Sequence, residues 1–140
     1  MAATLVLFNP LSVDFVGSAA PARRAQRNQM RTVLYSGSSN QEGYYSAVMP
    51  DSFLGDDVSV VIPWCARTAT SGDVVWGVSF ERINDEAVDI DDAPTWSTEK
   101  TVTASAPSTA GLVEYTTITF NNTEIDSVAA GEVFRLRVRS

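Results

Sequence analysis

Apolar and polar residues alternate with a period of two over most of this chain, and the pattern is clearest near its end. Phe134, Leu136 and Val138 interleave with Arg135, Arg137 and Arg139. A strand here puts three apolar groups on one face and three guanidinium groups on the other. In the stretch from residue 73 to 83, Val74, Trp76, Val78 and Phe80 share one face while Gly77, Ser79 and Glu81 share the other, which predicts a half-buried strand. Val58, Val60, Ile62 and Trp64 repeat the pattern one segment earlier, so two tryptophans fall on core-facing positions. The turn chemistry of residues 68–73 predicts that these two strands are antiparallel neighbours. Pro63 gives up a ladder donor inside the earlier strand, which predicts an edge position or a bulge.

Further strands are expected at residues 32–35, 44–49, 101–104 and 113–120, the last of them β-prone through Thr116, Thr117, Ile118 and Thr119. Turn-rich segments at 36–40, 50–57 and 106–111 separate them. Residues 21–30 have two readings. Pro21 in a first turn followed by Ala, Arg and Gln suits a helix, whereas the missing apolar stripe suits an ordered arm. About eight short strands at turn-punctuated intervals predict an all-β fold, an antiparallel β-sandwich of jelly-roll-like winding with an extended N-terminal arm. Residues 1–35 form the arm and first strand, and residues 36–140 the sandwich, as a single folding unit.

Composition narrows the class. A chain of 140 residues suits one domain that buries a core without staples. Its 44% hydrophobic and 19% charged residues are those of a globular protein. No run approaches the roughly 18 apolar residues of a membrane span. The short run at 5–8 lacks the flanks of a signal peptide, so synthesis in a cytoplasm without export is expected. Cys65 is the single cysteine and is expected to pack beside Trp64.

Charge is unevenly spread. Residues 1–35 carry Arg23, Arg24, Arg27 and Arg31 against Asp14, and the last strand adds three more arginines. Residues 36–132 hold only Arg67, Arg82 and Lys100 against sixteen acids, and the chain as a whole stands at −7. Basic ends and an acidic middle predict docking on further copies or on a larger protein scaffold. The candidate partner-binding residues are therefore Arg23, Arg24, Arg27, Arg31, Arg135, Arg137 and Arg139. Leu5, Leu7 and Phe8 join them, because an apolar arm left in water favours association.

Signals for chemistry are sparse. With no histidine, the Ser-His-Asp and Cys-His machineries lack their usual base. Glu42, Glu81, Glu114 and Glu124 could supply a glycosidase pair, but nothing in the sequence places two of them across a sugar. Asp85, Glu86, Asp89, Asp91 and Asp92 offer oxygen ligands without the central Gly and terminal Glu of a calcium loop, so a solvated loop or a receiver of a neighbour's arginines is preferred over a metal site. Asn121-Asn122-Thr123 fits the glycosylation pattern and is taken as a turn. The negative net charge, and the lack of aromatic residues among the arginines of 23–31, argue against nucleic acid. Trp64 and Trp76 are taken as packing residues in preference to a sugar platform. No catalytic residue, metal, cofactor or membrane partner is expected.

Three segments carry a family resemblance. Ala69-Thr70-Ser71-Gly72-Asp73-Val74-Val75-Trp76-Gly77-Val78, then Ala106-Pro107-Ser108-Thr109-Ala110-Gly111, then Ala130-Gly131-Glu132-Val133-Phe134-Arg135-Leu136-Arg137-Val138 follow one another in order. Together they resemble a β-sandwich domain of structural proteins of tailed bacteriophages, over roughly residues 45–140. The resemblance implies a virion protein similar to capsid decoration (cement) proteins, which commonly sit as trimers on the outer shell. Its partners would be copies of itself and the major capsid protein, on the outer capsid surface of a particle made in the host cytoplasm. The alternative is a tail fibre or tailspike module that recognises a host surface glycan; a small glycan hydrolase is the third reading. The family brings no catalytic residues.

Overall fold

The computed structural model describes residues 6–15 and 23–140, and its regular elements are β-strands apart from one turn of 3₁₀ helix at Asn122–Ile125. The strands are β1 (Arg23–Arg27), β2 (Met30–Leu34), β3 (Glu42–Val48), β4 (Val58–Trp64), β5 (Asp73–Ile83), β6 (Lys100–Ser105), β7 (Glu114–Phe120) and β8 (Val133–Arg139). The main sheet has the order β3-β8-β5-β6, a second sheet pairs β4 with β7, and β1 and β2 form a hairpin. Every strand pair is antiparallel. The main sheet and the β4–β7 sheet face each other as a β-sandwich, as the strand pattern predicts.

The core lies between these two sheets. Phe134, Leu136 and Val138 of β8 enter it beside Trp76, Val78 and Phe80 of β5, and Ile118 and Phe120 of β7 meet them from the other side. Phe80 and Phe120 pack edge to face with centroids 5.2 Å apart, and Trp64 and Trp76 meet at 6.1 Å. Met49, Phe53, Ile125 and Val128 complete the same cluster from connecting segments. Aromatic pairs in this geometry add stability beyond the area they bury.

Strands β4 and β5 are not neighbours, contrary to the expectation from residues 68–73. β4 pairs with β7, Val60 opposite Ile118, and Trp64 Nε1 donates to Thr116 Oγ1 at 2.8 Å. The connection thus crosses from one sheet to the other, which lets the two tryptophans meet across the core, their planes tilted by 58°, instead of lying side by side. β4 has a strand partner on one side only, so Pro63 does lie in an edge strand.

Residues 23–34 form the hairpin and not a helix. Asn28 and Gln29, at φ 45° and 70°, make a two-residue turn with both central residues left-handed, the type that matches strand twist. With no apolar stripe to bury as a helix, the segment pairs with itself and anchors through its arginines. Arg24 donates to Val13 O at 3.2 Å and covers Phe15, while Arg27 donates to Ala66 O and Arg67 O at 3.0 and 3.2 Å. Arg27 also reaches Cys65 Sγ at 3.4 Å. Asp14 bridges to Tyr44 on the free edge of β3.

Candidate functional site

The outward face of the main sheet concentrates the chain's polar and aromatic chemistry. Cross-strand register builds it in rows: Glu42, Arg139 and Gly77; Tyr44, Arg137 and Ser79; Ser46, Arg135 and Glu81. Opposite residues in neighbouring strands project to the same face, so acids and arginines from distant segments are brought side by side. The chain then covers them. Residues 95–99 run along β5, with Ser97 N donating to Phe80 O at 2.8 Å and Phe80 N donating to Ser97 Oγ at 2.9 Å. Because of this cover Ser79 and Glu81 are buried, and β5 is enclosed on both faces over residues 76–81 where the sequence predicts a half-buried strand.

Each arginine of β8 finds a carboxylate of its own chain. Arg135 Nε donates to Glu81 Oε1 at 2.6 Å, and Glu81 Oε2 accepts from Thr95 N at 2.6 Å. Arg139 Nη2 donates to Glu99 Oε1 at 2.6 Å, with Glu42 Oε1 at 3.8 Å from its Nη1. Arg137 lies between the same two acids, 3.9 Å from Glu42 and 3.8 Å from Glu99, and donates to Ser79 Oγ at 3.1 Å. Three arginines and three glutamates cancel. The face that the sequence presents as a row of free cations is a neutral network, because residues from β3, β5 and the β5–β6 connection supply the counter-charges.

Gly77 permits this arrangement. A Cβ built there would stand 2.6 Å from Glu99 Cδ, so only glycine lets the carboxylate rest on the strand backbone. Above the middle row Trp96 lies on two neighbours at once: its ring is 5.9 Å from the Tyr44 ring at 25°, and its centroid is 5.2 Å from Arg137 Cζ. Tyr44 donates its hydroxyl to Glu42. Burial, and then that bond to a carboxylate, pushes the Tyr44 phenol up to about 12.

The other predicted contact residues divide. Val6 and Phe8 pack on the core, with Phe8 5.2 Å from Tyr45 and 6.4 Å from Phe134, so Phe8 is a packing residue of its own chain and Leu7 alone, at 81% exposure, is the outward residue of this run among those described. Leu5 lies outside the described residues, and Arg23 is the first residue of β1. Arg24, Arg27 and Arg31 are exposed on the hairpin, where among the described residues no carboxylate pairs with them. Asp85, Glu86, Asp89, Asp91 and Asp92 are exposed too, and no group of three possible metal ligands occurs among the described residues. Asn121 caps the 3₁₀ turn by accepting from Glu124 N at 3.0 Å, in keeping with the turn reading of 121–123.

Tyr44, Trp96 and Glu99 are members of this site that the sequence does not single out, and Glu42 enters the sequence reading only as one of four glutamates for a glycosidase pair. Trp96 sits in a Pro- and Thr-containing stretch with no periodicity, and Glu42 and Glu99 lie 97 and 40 residues from Arg139. The one available signal was the row of Gly77, Ser79 and Glu81, whose acid complements the arginine row of β8. Compared with protein-family models, curated proteins and solved structures, the chain matches none.

Proposed function

We propose that the protein is a structural component of a tailed-phage virion, of the capsid-decoration type, joined as a homotrimer and seated on the major capsid protein. Separation of surface charge carries this reading. Once the internal pairs are formed, the described cations left without a carboxylate are Arg24, Arg27 and Arg31 on the hairpin and Arg67, to whose carbonyl Arg27 donates. Exposed acids without a described cation crowd the loops at 51–57 and 85–92. A molecule with a basic hairpin and acidic loops docks head to tail on copies of itself, and a threefold ring closes such a heterologous contact.

The winding supports the same reading. The order β3-β8-β5-β6 against β4-β7 is compatible with a jelly-roll-like winding, and jelly rolls recur in viral capsid domains. Modest contacts suffice in a shell because many copies share the load. No catalytic step is assigned. Light scattering at low and high salt tests the association: a species of three times 15.1 kDa that dissociates as salt rises is expected, and a monomer at low salt overturns the trimer. Labelling on intact particles by electron microscopy tests the location; label on the tail would favour the receptor-binding alternative.

A further inference from the structure

We infer that Trp96, with Glu42, Arg137 and Arg139 around it, forms a binding subsite for a neutral hexopyranose. Tyr44 and Arg137 are cross-strand partners and sit side by side on one face of the sheet. Trp96 packs against both, its ring 5.9 Å from the Tyr44 ring and 5.2 Å from Arg137 Cζ. Trp96 is half-buried, so part of the residue stays open to solvent. A pyranose ring has an apolar C–H face that fits such a surface and a rim of hydroxyls that needs donors and acceptors together.

The rim groups of the site match that need. Glu42 Oε1 stands 3.9 Å from Arg137 Nη1 and 3.8 Å from Arg139 Nη1, close enough for ion pairing and too long for hydrogen bonds, so these atoms keep hydrogen-bonding capacity toward a hydroxyl. A sugar hydroxyl donates to the carboxylate while accepting from a guanidinium. Charge selects the ligand class: Glu42 and Glu99 against Arg137 and Arg139 leave no net charge to favour a phosphate or an amine. Trp64 and Trp76, the tryptophans conspicuous in the sequence, pack on each other in the core.

This inference is independent of the trimer and of any position in a particle. The test uses the full chain titrated with maltohexaose, cellohexaose and mannohexaose, followed by calorimetry and tryptophan emission. Saturable binding of at least one sugar, with a change in emission, is expected. Trp96→Tyr should keep the binding and lose the emission change, and Trp96→Ala should weaken binding by about tenfold or more. Glu42→Gln, which preserves the size of the side chain, should also weaken it. Absence of saturable binding to all three sugars overturns the proposal. So does a folded Trp96→Ala protein that binds like the parent, or an emission change that survives in Trp96→Tyr. Should Trp96→Ala fail to fold, as judged by circular dichroism, the Trp96→Tyr and Glu42→Gln results decide.

Discussion

Replacing Arg135 by Gln strands a buried carboxylate. Glu81 has a side chain only 5% exposed, and Arg135, at 23%, is its sole ionic partner among the described residues. Its second oxygen accepts from Thr95 N, but that single neutral donor does not offset a full charge in a poorly solvated position. Removing one partner of a buried pair costs about 3–5 kcal/mol, and the partial exposure of Arg135 places this case at the lower end, about 3 kcal/mol. For a domain of this size that lowers the melting temperature by about 10 °C. If the β8 arginines were merely solvated, the cost would stay within about 0.5 kcal/mol. Urea unfolding of the parent, Arg135→Gln, Glu81→Gln and the double variant completes a mutant cycle. The double variant should recover much of the loss, giving a coupling of about 2 kcal/mol or more. A cost below about 1 kcal/mol for Arg135→Gln, with no coupling to Glu81→Gln, would refute the claim that this pair organises the outward face.

Three further outcomes follow from the geometry. Gly77→Ala should displace the Glu99 carboxylate and cost about 1–3 kcal/mol, with little added cost in a Glu99→Ala background, as read by thermal melts. The Arg82 guanidinium and the Ala129 amide hold Glu132 below the ordinary carboxylate value, so its contribution is full near neutral pH and fades as pH falls through that lowered value. The stability gap between the parent and Arg82→Gln should therefore shrink on acidification, and a gap that widened would contradict the assignment. Gln29→Gly places the residue best suited to a left-handed second turn position after Asn28, and should stabilise the hairpin by up to about 1 kcal/mol, measured as slower amide exchange in β1 and β2.

What the sequence discloses is mostly what a single strand controls. Alternation at 73–83 and 133–139 identifies strands and their core faces because side-chain direction depends only on position within the strand. Strand partners depend on sheet geometry, so the turn residues at 68–73 correctly mark a reversal while leaving open which sheet receives the next strand. The hairpin at 23–34 is hard to read because Asn28-Gln29 is a weaker turn signal than Asn-Gly and its strands carry little apolar alternation. The same limit hides the charge network. Arg135, Arg137 and Arg139 look free because their acids lie in β3, β5 and the segment before β6, and only the folded register brings them together.

The central position of β8 has a consequence for how the molecule is made. β8 lies between β3 and β5, so β3 has no partner strand in the main sheet until the last strand of the domain is available. Synthesis at about 5–20 residues per second leaves β3 waiting several seconds, with Tyr45 and Ala47 facing a core that has not closed. Local pairings such as β5 with β6 can form earlier, but the sandwich cannot close step by step behind the ribosome. Folding should thus be delayed and then cooperative, and a nascent chain cut before Val133 should remain open to proteases and chaperones.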